Sequence, residues 1–178
     1  MAQSGADAEL RTNRAPHRAR TNDMNQILSG AVAGLTATVP MTAAMAGMHR
    51  LLPPEESYPL PPRLITENVL EKVEADDQLP EEGKRELAVV NHFAYGAAMG
   101  AIYASGLEAL DTKPSVANGV FFGLGVWAGS YQALLPLAGL FPPAHKQPAA
   151  RNALMIAAHV VWGAALGLTL QKLEGDET

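Results

Sequence analysis

Four stretches of this chain carry no Asp, Glu, Lys or Arg: residues 27–48, 87–107, 115–144 and 152–170. A helix rises about 1.5 Å per residue, so each stretch, made helical, matches a bilayer hydrocarbon core about 30 Å thick. Averages conceal this pattern. Hydrophobic residues make up 48% and the mean hydropathy is +0.02, values ordinary for a soluble protein. The charge is instead confined to the intervals, and 10 of the 18 acidic residues lie between Glu55 and Glu86. Aromatic residues are scarce at 6% while glycines number 16, the small-residue style of helices that pack closely in lipid. The expected fold is all-α, an integral membrane four-helix bundle over residues 26–171. Its spans fall at about 26–52, 87–110, 115–141 and 152–171. A basic tail (1–25) is expected to be disordered, residues 53–86 form an acidic extramembrane loop, and 172–178 a short C-terminal tail. Met24 is an alternative start.

A secretory signal is the rival reading of the N-terminus. Arg11, Arg14, Arg18 and Arg20 suit its basic region, and Ala44-Met45-Ala46 its cleavage site. The apolar stretch is long for that role and is broken by Gly30, Gly34, Thr36 and Pro40. More decisively, the same stretch recurs in mid-chain. Gly30 aligns with Gly119, Gly34-Leu35 with Gly123-Leu124, Ala44 with Ala133, Leu51 with Leu140 and Pro53-Pro54 with Pro142-Pro143, all at an offset of 89 without a gap. The second span aligns with the fourth at an offset of 67, HFAYGAAMG from His92 against HVVWGAALG from His159. The unit is therefore helix, Pro-Pro turn, helix, and the first copy carries the acidic insertion. Each unit holds two spans, so both enter the membrane from the same side. The expectation is two tandem parallel helical hairpins with a pseudo-twofold along the membrane normal.

Pro40 and Pro136 lie inside the first and third spans and should kink them, with Thr36 or neighbouring backbone absorbing the carbonyl freed at Pro40. In the loop, Pro61-Pro62 should start a short helix at Arg63. Its apolar edge, Ile65, Val69 and Val73, beside Glu67, Glu71 and Glu74, suits a surface helix lying on its own bundle or docking a partner.

Every span carries glycines four apart: Gly30/Gly34, Gly96/Gly100, Gly119/Gly123 with Gly125/Gly129, and Gly163/Gly167. Such strips let backbones approach, and in lipid that contact drives helix association. His92 and His159 are the only ionisable residues well inside the spans. His92 shares a helix face with Tyr95, Gly96, Met99, Gly100 and Tyr103, and His159 with Trp162, Gly163 and Gly167. They form a candidate intramembrane polar site, expected to face inward at matched depth and to be neutral at pH 7. Asn91, Asn118, Tyr131 and Gln132 are possible partners. Neutral imidazoles there can simply bond a neighbouring helix, or they can ligate haem or a metal between them.

Other chemistry is absent from the pattern. Without cysteine there is no disulfide or thiolate chemistry. A net charge of −5 and scattered basic residues leave no nucleic-acid footprint. There is no Walker loop, no His-Glu-x-x-His, no paired carboxylates within a span, and no signature of an activated nucleophile at Ser29, Ser105 or Ser130. No catalytic residue and no resident cofactor are expected. His145 and Lys146 are expected to be solvated.

The strings PPRLITENVLEKV, NHFAYGAAMGAIYA, GVWAGSYQALLPLAGLFPP and RNALMIAAHVVWG resemble the uncharacterised small bacterial inner-membrane proteins of the YagU-like kind, over about residues 27–170. The resemblance implies a bacterial inner-membrane protein of about four spans and supplies no activity.

Two function classes remain. One is a structural or accessory protein of the lipid bilayer that packs against itself as a homo-oligomer or within a larger membrane complex. The other binds or transports a small molecule, ion or cofactor between the repeats at His92 and His159. Both termini are expected in the cytoplasm, because the arginine cluster precedes the first span; basic residues otherwise divide almost evenly between the two sides.

Overall fold

The computed structural model describes residues 3–175, with side chains from Met24 onward. Helix α1 (Gln3–His49) holds the first apolar stretch, α2 (Pro61–Lys72) the loop, α3 (Glu81–Ala109) the second stretch and α4 (Val116–Ala128) the start of the third. A π-helical turn, Gly129–Leu134, and a final turn, α5 (Leu135–Leu137), complete the third stretch, and α6 (Ala149–Gly175) holds the fourth. Four segments are long and apolar enough to cross a membrane: Met24–His49, Glu81–Ala109, Val116–Leu137 and Ala149–Gly175. The chain thus fits an all-helical multi-pass membrane protein. Helix α1 begins at Gln3, within the tail for which the sequence predicts no regular element. The tail arginines are among the residues whose side chains are not described, and residues 1–2 and 176–178 lie outside the described residues.

Local chemistry explains where the helices stop. Pro80 caps α3, so its charged first turns, Glu81 to Glu86, precede the apolar stretch. The Ser115 side chain accepts from the Asn118 amide at 3.1 Å and starts α4. Three helices end alike on a residue of positive φ, Glu74 (56°), Asp111 (48°) and Gly139 (62°). In each the following amide reaches back five residues: Ala75 to Leu70, Thr112 to Leu107 and Leu140 to Leu135, all at 2.9 Å. Gly139 therefore stops the third span short of the expected 141. Helix α2 starts at Pro61, two residues before the expected Arg63.

The two prolines act differently. Around Pro40 the helix continues, and the hydroxyls nearby bond one turn back, Thr38 to the Gly34 carbonyl at 2.8 Å and Thr42 to the Thr38 carbonyl at 2.7 Å. Neither acceptor is the Thr36 carbonyl, the one that Pro40 leaves without its helical donor. Pro136, which has no amide to donate, follows a π turn that takes an extra residue into the helix.

Helix α1 packs along α3, α4 along α6, and α1 along α6, while α3 and α4 touch at few points. The helices therefore follow one another around the bundle as α3, α1, α6, α4, with one loose seam. The paired seams are built on glycine. A Cβ added at Gly34 would strike the Gly96 carbonyl, and one at Gly100 the Gly30 carbonyl. In the second hairpin a Cβ at Gly119 would strike the Gly163 carbonyl, and one at Gly167 the Ser115 carbonyl. Gly123 lies against the His159 carbonyl. All eight glycines singled out in the sequence, Gly30, Gly34, Gly96, Gly100, Gly119, Gly123, Gly163 and Gly167, meet a facing helix. Gly125 and Gly129 have nothing within 4 Å, so that second strip of the third span packs against no other described helix.

Helix α2 lies across the loop-side ends of the spans. Thr66 and Leu70 are buried. Asn68 Nδ2 donates to the Leu140 carbonyl at 2.7 Å and Lys72 Nζ to the Ala138 carbonyl at 2.5 Å. Both bonds meet carbonyls left at the end of the third span, where no further helical turn can satisfy them. Arg63 bridges Glu67 and Glu81, and Lys84 bridges Asp76 and Glu81, fixing the acidic loop to the start of α3.

Candidate functional site

The loose seam between α3 and α4 opens into a cavity of about 240 Å³. Its floor comes from α1 and α6 through Thr38, Met41, Met155, His159 and Trp162. Its sides are Asn91, His92, Tyr95 and Met99 of α3 and Ser130, Tyr131 and Leu134 of the π turn. Helix α2 roofs the loop side with Pro62, Ile65, Thr66 and Val69. On the tail side an aromatic series closes the seam. The Tyr103 and Phe122 rings stand 5.1 Å apart, Phe122 and Trp162 6.2 Å, and the Tyr103 hydroxyl donates to the Ser115 carbonyl at 3.4 Å.

All four residues of the polar site expected from sequence, His92, His159, Tyr95 and Trp162, line this one cavity. They reach it in different states. His159 is 6% exposed, and its Nδ1 lies 2.7 Å from the Met155 carbonyl. A carbonyl only accepts, so Nδ1 carries the proton and, in the neutral ring, Nε2 carries a lone pair. The Tyr131 ring stands edge-on to His159 at 6.0 Å. His92 is less buried; its ring neighbours Phe93 at 6.1 Å and has no hydrogen-bond partner among the described residues. Tyr95 and Trp162 occupy aligned positions, and each reaches the opposite hairpin. The Tyr95 hydroxyl meets Ser130 Oγ at 2.9 Å, and Trp162 Nε1 donates to the Gly34 carbonyl at 3.3 Å.

The suggested histidine partners divide. Asn91 and Tyr131 line the cavity. Asn118 instead donates to the Lys113 carbonyl, and Gln132 Oε1 lies 3.2 Å from His145 Nδ1 on the exposed side of the bundle. The partner His159 takes, the Met155 carbonyl, belongs to its own helix and has no side-chain signal. Ser130 gave no sequence signal either, because the π turn brings it inward; it is 7% exposed.

Arg151 was also missed. It is 4% exposed. Its guanidinium donates to the carbonyls of Glu56 (2.7 Å), Tyr58 (2.9 Å) and Pro59 (2.8 Å) and lies 3.7 Å from the centre of the Tyr58 ring. It buckles the loop ahead of α2 onto the start of α6. Among the described residues no group of three or more His, Cys, Asp or Glu side chains is placed to hold a metal ion.

The chain belongs to a family described as a protein of unknown function, DUF1440, whose profile matches residues 41–168. The match takes in every lining residue named above except Thr38. No curated protein and no solved structure matches the chain.

Proposed function

We propose that this is a multi-pass protein of the bacterial inner membrane that binds a small molecule in the cavity between its two hairpins, with His92 and His159 as the polar contacts. The observation that carries the reading is the cavity itself. Bundles held by glycine seams have helices in backbone contact and little reason to enclose space, since protein interiors are close-packed. Here the two hairpins stand apart at one seam only, and histidines from both copies line the gap. An apolar pocket with a few convergent polar groups is the usual form of a ligand site. The two cross-hairpin bonds, Tyr95 to Ser130 and Trp162 to Gly34, support the parallel-repeat reading, since aligned residues reach across in both directions. Four spans put both termini on one side, and the arginine cluster before the first span favours the cytoplasm. The resemblance to YagU-like proteins supports the inner membrane. Haem or a metal held by the two imidazoles is the narrower form of the reading, supported by the lone pair at His159 Nε2.

A second reading, a structural or accessory protein, draws on Gly125 and Gly129. Their strip faces away from the other described helices and suits a helix of a second copy or of a larger complex.

Purification in mild detergent, followed by mass spectrometry of bound small molecules, an absorption spectrum and metal analysis, tests the first reading. The parent is expected to carry a stoichiometric ligand that Val69→Phe at the cavity rim and Ala88→Phe inside it both lose. A colourless, metal-free and ligand-free parent that co-purifies with a larger assembly overturns it.

A further inference from the structure

We infer that the occupant of this cavity is an uncharged amphiphile whose head group carries a hydroxyl, entering sideways from the bilayer between α3 and the π turn; the inference rests on the cavity being a binding site. Three observations converge. First, the lining contains no Asp, Glu, Lys or Arg. A charged head would enter an apolar bundle with no counter-charge, which is strongly unfavourable at membrane depth. Second, one buried polar group of the lining is left as an acceptor. His159 commits its Nδ1 proton to the Met155 carbonyl and turns the other nitrogen into a lone pair. A ligand hydroxyl can donate to it; an ether or ester oxygen cannot.

Third, the exposed lining residues lie together. Val69, Tyr95 and Leu134 are 39%, 40% and 57% exposed, and Asn91 is exposed beside them. All four belong to α2, α3 or the π turn, whereas the lining residues of α1 and α6 are buried. The opening therefore faces sideways between two spans. His92 lies five residues beyond Leu87, the start of the charge-free stretch, or about 8 Å along the helix. The mouth thus sits just below the level where the head of a membrane lipid rests, and its apolar rim suits the adjoining chain.

Trp162 lines the cavity and reports on it. The chain has two tryptophans, so Trp127→Phe leaves Trp162 as the sole emitter. This variant, in phosphatidylcholine nanodiscs, is titrated with dibrominated diacylglycerol, with its methyl ether, and with phosphatidate bearing the same chains. Diacylglycerol is expected to quench Trp162 saturably, at about tenfold lower mole fraction than phosphatidate. The methyl ether is expected to fall behind diacylglycerol in the parent background and to equal it once His159→Leu is introduced. Val69→Phe should abolish the saturable quenching, which guards against a folding artefact of the histidine change. Competition with unlabelled dioleoylglycerol and with hexadecanol separates a two-chain lipid from a single-chain alcohol as the source of the hydroxyl. Equal quenching by phosphatidate, or no preference for the free hydroxyl over its ether, overturns the inference. If purified protein nonetheless carries a ligand that cavity filling removes, the binding site stands and only the ligand class is wrong. If no ligand is carried either, both fail.

Discussion

The two hairpins begin from aligned sequences and end in different structures. In the first, Gly30 rests against the Gly100 carbonyl and Gly34 against that of Gly96. In the second, Gly119 rests against Gly163 and Gly123 against His159. By alignment these partners are the equivalents of Gly96 and His92, so the second hairpin is assembled one turn out of step with the first. The shift is four residues, about 6 Å along the helix. It brings the backbone at His159 against α4, whereas His92 is less buried. The seam between α1 and α6 is packed, and its counterpart between α4 and α3 is open. Lys84 and Arg151 also align at the offset of 67, and both are buried cations. Lys84 bonds carboxylates of the acidic insertion, Asp76 at 2.8 Å, while Arg151 bonds backbone carbonyls. Aligned positions supply similar side chains twice, but register and neighbours decide what each does.

The largest effects should come from forcing the glycine seams. Gly100→Leu and Gly167→Leu each place a side chain into facing backbone, which cannot turn aside. Each is expected to destabilise the protein by about 3 kcal/mol or more in detergent melting or denaturant titration. Gly125→Leu and Gly129→Leu meet open space and should stay within about 0.5 kcal/mol of the parent. If all four behave alike, the seams do not hold the hairpins. A finer contrast lies between Gly96→Ala and Gly163→Ala. The first meets a side-chain atom first, the Thr38 hydroxyl, and the second meets facing backbone, the Gly119 carbonyl. The second hairpin should therefore suffer more.

Next come the aligned cations. Arg151→Ala removes three charge-assisted hydrogen bonds in a buried setting and should cost about 2–3 kcal/mol. It should also expose the loop at residues 54–60 to protease. Lys84→Ala loses bonds to partners nearer water, Glu81 being 66% exposed, and should cost clearly less than Arg151→Ala. High salt should shrink the Lys84 effect and leave that of Arg151 nearly unchanged. Equal costs would remove the distinction between the two ends.

The smallest effect concerns the bond across the open seam. Tyr95→Phe with Ser130→Ala, measured as a double-mutant cycle, should return a coupling of about 1 kcal/mol. A coupling near zero means the Tyr95 hydroxyl does not tie α3 to α4.

What the sequence showed and concealed follows from these contacts. Charge-free windows declare membrane spans because charge in hydrocarbon is so unfavourable, and the four long apolar helices are legible in them. Glycines four apart mark the seams, but a strip repeating every turn fits its partner equally well one turn along. The register slip is therefore invisible in the pattern. His92, His159, Tyr95 and Trp162 could be assigned to one face because helix periodicity fixes faces. Ser130 could not, because the π turn changes the periodicity just there. Arg151 carries no signal in the pattern because its partners are carbonyls, which every residue has.

The π turn has a further consequence, for chain length. It holds one residue more than an α-helical turn between the same ends needs, next to a proline that cannot complete the ordinary bond pattern. Removing a single residue elsewhere in a span would swing everything beyond it by about 100°, turning lipid-facing side chains inward. Removed from Gly129–Leu134, the same residue would return the stretch to plain helix with the following segment in phase. Relatives of this chain are therefore expected to differ in length by one residue here more readily than at other points of the spans. Those lacking it would present a third helix kinked at Pro136 alone, with Ser130 and Tyr131 no longer turned inward together.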